Sequence, residues 1–96
     1  MPQLRTRHME GETLVSVCDE ELIGEEFREG EIKLEVSSSF YSGEEVSVEE
    51  CIEAIKDATI ANLVGSIVKH AIEAGIINSE RVLEIQGTPH AQMARP

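Results

Sequence analysis

Tryptophan is absent from this chain, and Phe27, Phe40 and Tyr41 are its only aromatic residues. A packed interior must therefore come from Ile, Val, Leu and Ala, which hydrophobic residues at 41% of the sequence can supply. So few rings also argue against the aromatic platforms on which single-stranded RNA bases stack. Cations are scarce as well: eight Lys and Arg stand against 19 Asp and Glu, for a formal charge of −11. Such a surface repels phosphate backbones unless its cations cluster, so direct nucleic-acid binding is not expected. Arg5, Arg7 and His8 are the one local cluster, and Arg28, Lys33, Lys56, Lys69, Arg81 and Arg95 are scattered.

No apolar run approaches the ~18 residues that span a bilayer. The N-terminal stretch MPQLRTRHMEGE lacks the apolar core of a secretory signal. The two cysteines, Cys18 and Cys51, show no CxxC or Cys–His ligand spacing. Reduced thiols in a cytoplasmic protein are the expectation, with no metal and no cofactor implied. Ninety-six residues fit one domain. We divide the chain into a flexible arm over residues 1–11, an α+β domain over 12–92 and a tail over 93–96.

Thr13 to Cys18 is β-rich and reads as the first strand. Asp19 to Glu31 is a turn-rich connection interrupted by Gly24 and Gly30. Glu31 to Val36 alternates, with Ile32, Leu34 and Val36 on one side, as in a strand with one solvated face. SSSFYSGEE then reads as a loop. Ser47 and Glu50 form a capping box, and Val48, Cys51, Ile52 and Ile55 fall on one helical face. Ala58 to Gly65 is apolar except for Thr59 and Asn62, and reads as a buried link to a second helix over Ser66–Ala74. Gly75 suits a left-handed helix end. Arg81 to Ile85 reads as the last strand, from which GTPHAQ (Gly87–Gln92) projects as a stiff arm. Two helices on one face of a small, mostly antiparallel sheet of three to four strands is the expected architecture.

Four stretches in combination resemble one family: VCDEELIG (Val17–Gly24), FY-G-E-V within Phe40–Val46, ATIANLVG (Ala58–Gly65) and PHAQ (Pro89–Gln92). This is the archaeal family known as domain of unknown function 424. The resemblance spans Glu12 to Gln92, leaving out the arm and the tail. It implies an archaeal cytosolic protein and assigns no activity, so it transfers no catalytic residue. The polar or charged pair that it implies after Gly65 is missing, because Ser66 runs straight into Ile67; this weakens an anion site there.

Each candidate residue has a structural reading beside a functional one. Thr59 and Asn62 are backbone ties at the bend between helices, or amide and hydroxyl groups lining a pocket. Gly65 and Ser66 open a helix, where N–H groups can hold an anion or where serine simply caps. Cys18 is a core residue, or a nucleophile with His90 as base and Asp19 or Asp57 orienting it. Cys18, His70 and His90 are also conceivable as a metal set, but the core reading is favoured. Tyr41 either packs or presents its ring to a partner. His90 and Gln92, held by Pro89, share one side of an extended segment.

The reading that follows is a non-enzymatic binding or accessory module contacting a protein partner through Tyr41, Asn62, His90 and Gln92. An acidic chain suits a basic protein partner, in RNA or ribonucleoprotein (translation-related) metabolism. The alternative is a small enzyme using Cys18 or His90 at a site built by a homodimer, which would enlarge so small a pocket. A third reading is a purely structural subunit.

Overall fold

The computed structural model describes residues 1–95. Strand β1 (Pro2–Met9) turns through Glu10-Gly11 into β2 (Glu12–Asp19). Both turn residues have positive φ, 44° and 83°, the two-residue loop whose twist matches that of the strands it joins. A 3₁₀ turn at Glu20–Leu22 leads to a hairpin of β3 (Glu26–Glu29) and β4 (Ile32–Glu35). One helical turn, α1 (Ser38–Tyr41), and a short strand, β5 (Glu44–Glu45), precede helix α2 (Val48–Asp57). Strand β6 (Ile60–Val64), helix α3 (Ile67–Glu73) and a 3₁₀ turn at Ser79–Arg81 follow. The hairpin of β7 (Leu83–Ile85) and β8 (Thr88–Ala94) closes the fold.

Six of the strands form one sheet in the order β5-β1-β2-β6-β8-β7, and β3 and β4 form a second. Within the large sheet β2 and β6 are parallel, and the other pairings are antiparallel. Val15, Val17, Ala61, Leu63 and Ala91 point to one side, where they pack on Cys51 and Ile55 of α2 and Ile67, Val68 and Ala71 of α3. Cys18, Val64 and Ile85 pack on the other side against Leu34 and Val36 of the hairpin and Tyr41 of α1.

Both helix boundaries follow from local chemistry. The Glu50 amide donates to Ser47 Oγ at 3.1 Å, and the Ser47 hydroxyl donates to the Glu50 carboxylate at 3.3 Å, which satisfies an orphan N–H of α2. At the other end of α2, the Arg95 guanidinium donates to the carbonyls of Ile55, Lys56 and Ala58, groups that a helix end leaves without partners. Helix α3 stops at Gly75, whose φ is 77°. There the Gly75 amide donates to Ile72 O and the Ile76 amide to Ala71 O, each at 3.0 Å, the paired bonds of a Schellman motif.

Four expectations from the sequence are corrected. The supposed arm is β1, paired along its whole length with β2; Leu4 alone among Gln3–Met9 packs on the helix-side core, so no alternation announces it. The apolar link over 58–65 is strand β6 at the middle of the sheet, between the two helices in sequence. GTPHAQ is not a projecting arm: its residues from Thr88 onward lie in β8, bonded to β6 and β7. Of the expected tail, Met93 and Ala94 belong to β8, Arg95 ties down α2, and Pro96 lies outside the described residues. The α+β class stands, with α2 and α3 on one face. The large sheet, however, has six strands rather than three or four, and a third, single-turn helix lies with the hairpin on the opposite face.

Gly43 sits where β5 meets β1: its amide donates to Gln3 Oε1 at 3.1 Å, and a Cβ there would overlap the Leu4 carbonyl. Because the obstruction is backbone, Gly43→Ala must push β5 off the sheet. We expect it to lower unfolding stability by about 1–3 kcal/mol in urea titrations, as overpacking does.

Candidate functional site

The two faces of the large sheet are covered unequally. Helices α2 and α3 close one face, while α1 and the β3–β4 hairpin close only part of the other. That partial cover is pinned over β1, where Arg5 donates to Ser42 O at 3.1 Å and Arg7 donates to Ser39 O. Arg7 also lies 5.0 Å from the centroid of the Phe40 ring, a cation–π contact. Past the cover, β6 and β8 present Asn62, His90 and Gln92 on the open face.

The register places Asn62 opposite Gln92 and Val64 opposite His90. Gln92 Nε2 donates to Asn62 Oδ1 at 2.9 Å, which leaves the Asn62 amide nitrogen and Gln92 Oε1 free to bond outward. His90 Nδ1 lies 3.0 Å from the Leu63 carbonyl oxygen. A carbonyl only accepts, so Nδ1 carries the proton and Nε2 is the ring atom left for a ligand. Three adjoining depressions of about 300, 410 and 270 Å³ surround this group, each lined by both Arg81 and Gln92.

Arg81 is the residue that sequence reasoning missed. Arg28, Lys33 and Lys56 are in ion pairs with Glu26, Glu35 and Glu53. Arg5, Arg7 and Arg95 are turned to backbone carbonyls. Among the described residues, Lys69 and Arg81 are in no ion pair, and of these two it is Arg81 that lines the depressions beside Gln92. Its only sequence signal is a cation at the start of the expected strand Arg81–Ile85; in the structure it ends the 3₁₀ turn that leads into β7, which pairs with the strand carrying His90 and Gln92.

The other candidates do not join the site. Cys18 is fully buried, and burial, helped by the charges of Asp19 and Glu21, pushes its thiol up to about 12. It is not a nucleophile at neutral pH. Val64 stands between Cys18 and His90 in the register. Asp19 does not orient His90: its carboxylate accepts from the Ser66 amide at 2.8 Å and from the Ser66 hydroxyl. The helix start at Gly65-Ser66 is thus filled from within the chain. Asp57 is exposed at the end of α2, and His70 lies on α3, 3.6 Å from Glu73. Cys18, His70 and His90 are therefore not gathered into a metal set. Thr59 ties β2 to the start of β6, accepting from the Thr13 amide at 2.8 Å and donating to its carbonyl at 3.2 Å. Tyr41, the last residue of α1, is buried against the sheet-side core and pushed up to about 12 by that burial, so it does not meet solvent. Asn62 is half-buried and pairs with a side chain, not with the backbone of a bend.

A family profile described as "Protein of unknown function (DUF424)" matches residues 7–95. The chain belongs to this family. The match takes in three of the eight residues of β1 and runs on to Arg95, so it is wider than the Glu12–Gln92 span of the resemblance. The fold is similar to the crystal structure of an uncharacterized conserved protein from Methanopyrus kandleri, with a TM-score of 0.78 and 24% identity over 99% of this chain and 94% of that one. At that identity the likeness is one of fold. No curated protein matches the chain.

Burial also sets a pH dependence. Cys18 and Cys51 rise from an ordinary value of 9.0 to about 12 and about 11 in the folded chain. Above pH 9 the unfolded chain releases these protons and the folded chain keeps them. Stability is therefore complete below pH 9 and falls as pH rises above it, by up to about 1.4 kcal/mol per pH unit for each thiol. Urea titrations from neutral to alkaline pH should show this decline, and Cys18→Ala should make it shallower while leaving the shares of Cys51 and Tyr41. Neither thiol of the folded protein should react with iodoacetamide at neutral pH, whereas both should react after denaturation.

Proposed function

We propose that this protein is a non-enzymatic binding module that engages a protein partner on the open face of β6 and β8. Asn62, Arg81, His90 and Gln92 are its contact residues. The observation that carries the reading is the Gln92–Asn62 amide pair, held on two bonded strands beside a histidine of set tautomer and an arginine in no ion pair. Donors and acceptors fixed on sheet strands lose little entropy on binding, which favours recognition. The site has no activated nucleophile beside it, since the Cys18 thiol is buried and protonated. A net charge of −11 disfavours a naked RNA ligand. A role in ribonucleoprotein metabolism would accordingly run through a protein component, in an archaeal cytoplasm.

The test is affinity purification of the full chain from archaeal lysate, split into nuclease-treated and untreated halves. Partners are expected to survive nuclease, and Gln92→Ala and His90→Ala are each expected to weaken their capture by about tenfold, the loss typical of a central polar contact. Partners that vanish with nuclease, or that bind both variants as well as the unaltered chain, would refute the proposal.

A further inference from the structure

We infer that the outward groove between α2 and α3 is a separate docking surface, fitted to a basic amphipathic helix of a partner protein. Both helices turn their inner faces to the sheet, where Cys51, Ile55, Ile67, Val68 and Ala71 are buried. Between their outer faces runs a groove of about 510 Å³. Val48, Ile52 and Ala74 form its apolar part, and Glu49, Glu53 and Glu73 stand around it. Val48 and Ile52 are only partly covered by the fold, so an apolar side chain seated on them would remove further area from water.

The charge around the groove selects the occupant. Lys56 lies 3.6 Å from Glu53 and His70 lies 3.6 Å from Glu73, and the two carboxylate side chains are 74% and 73% exposed. Pairs that exposed are worth little and exchange readily with an incoming cation. Glu49 is in no ion pair among the described residues. A second copy of this chain is a poor occupant, because it brings the same acidic rim and a further charge of −11. Nucleic acid and anionic lipid are repelled for the same reason. A helix with Lys or Arg flanking two or three apolar anchors at i, i+3 or i+4 and i+7 matches both the floor and the rim. The overall field of the molecule would also steer such a segment towards it.

The groove lies on the opposite side of the sheet from Asn62, His90 and Gln92, so this inference does not depend on the proposed function. The probe is a short synthetic helical peptide with leucine anchors and lysine flanks. Its controls are the same peptide with glutamate flanks and a scrambled peptide of identical composition. The full chain should bind the basic amphipathic peptide at least about tenfold more tightly than either control, and more weakly as salt rises. The methyl resonances of Val48 and Ile52 should shift on binding. Glu49→Lys combined with Glu53→Lys, both on an exposed helix surface and checked for folding by circular dichroism, should weaken binding about tenfold; Gln92→Ala should leave it unchanged. Equal binding of the scrambled peptide would reduce the effect to bulk charge and overturn the inference. So would the absence of binding, resonance shifts outside the groove, or sedimentation showing a homodimer that Ile52→Lys dissociates.

Discussion

The parallel pairing of β2 with β6 is the constraint from which the rest of this fold follows. Leu14 through Cys18 are buried without interruption, so β2 needs cover on both faces, as strands in parallel pairs generally do. Parallel neighbours cannot be joined by a tight turn, and residues 20–59 make the crossing. That crossing supplies the cover: its hairpin and α1 lie over one face, and α2 lies under the other with α3. The pairing is clasped at its C-terminal end by Asp19, which closes β2 and accepts two hydrogen bonds from Ser66 at the exit of β6. Gly65 makes this possible. Its φ is 93°, and a Cβ there would overlap the Asp19 carboxylate.

The same constraint explains where polar groups remain available. The cover over the second face is short, and it is anchored at the β1 side by Arg5 and Arg7. It leaves the β6–β8 side open, and there the face turned from the helices passes from buried Val64 to Asn62, beside His90 and Gln92 of β8. Buried chemistry and exposed chemistry are thus separated by one strand position. Cys18 and Tyr41 lie under the cover with raised proton affinities, whereas Asn62, Gln92 and Arg81 lie beyond it. The acidic excess is carried largely outside this patch, including around the helices on the opposite side of the sheet.

What was legible in the sequence was local. The Ser47–Glu50 cap, the Val48–Ile55 helical face, the alternation of Ile32–Val36 and the stop at Gly75 each involve residues within a turn or two of one another. The cap, the helical face and the stop appear in the structure, and of the alternating strand Leu34 and Val36 are buried while Ile32 is exposed. The strands that were missed depend on distant partners. β1 has almost no apolar signal of its own, and β6 buries Ala61 and Leu63 on one face and Val64 on the other with Asn62 its one polar residue, a run that imitates a helical link. β8 carries Pro89 early in a strand, where a proline normally argues against one. Two hairpin loops were also passed over because Glu10-Gly11 and Gln86-Gly87 put a residue other than Asn or Asp at a positive φ, 44° and 51°. Asn62, His90 and Gln92 were grouped with Tyr41 from sequence, but the physical reason for their nearness, and the place of Arg81 beside them, came only with the β6–β8–β7 pairing. Tyr41 was placed wrongly because α1, a single turn, has too few residues to show which side is buried.

The placement of Gln92 and His90 on β8 has a consequence for synthesis. The ribosome delivers residues 88–94 after every other strand and helix of this domain, and N-terminal parts of a chain emerge and begin to order first. The β1–β2 hairpin is local and can form early, but β6 has no antiparallel neighbour until β8 arrives. Until then β6 presents an unpaired edge, a template for pairing with other chains. The strand that brings His90 and Gln92 beside Asn62 is therefore also the one that covers the open edge of β6.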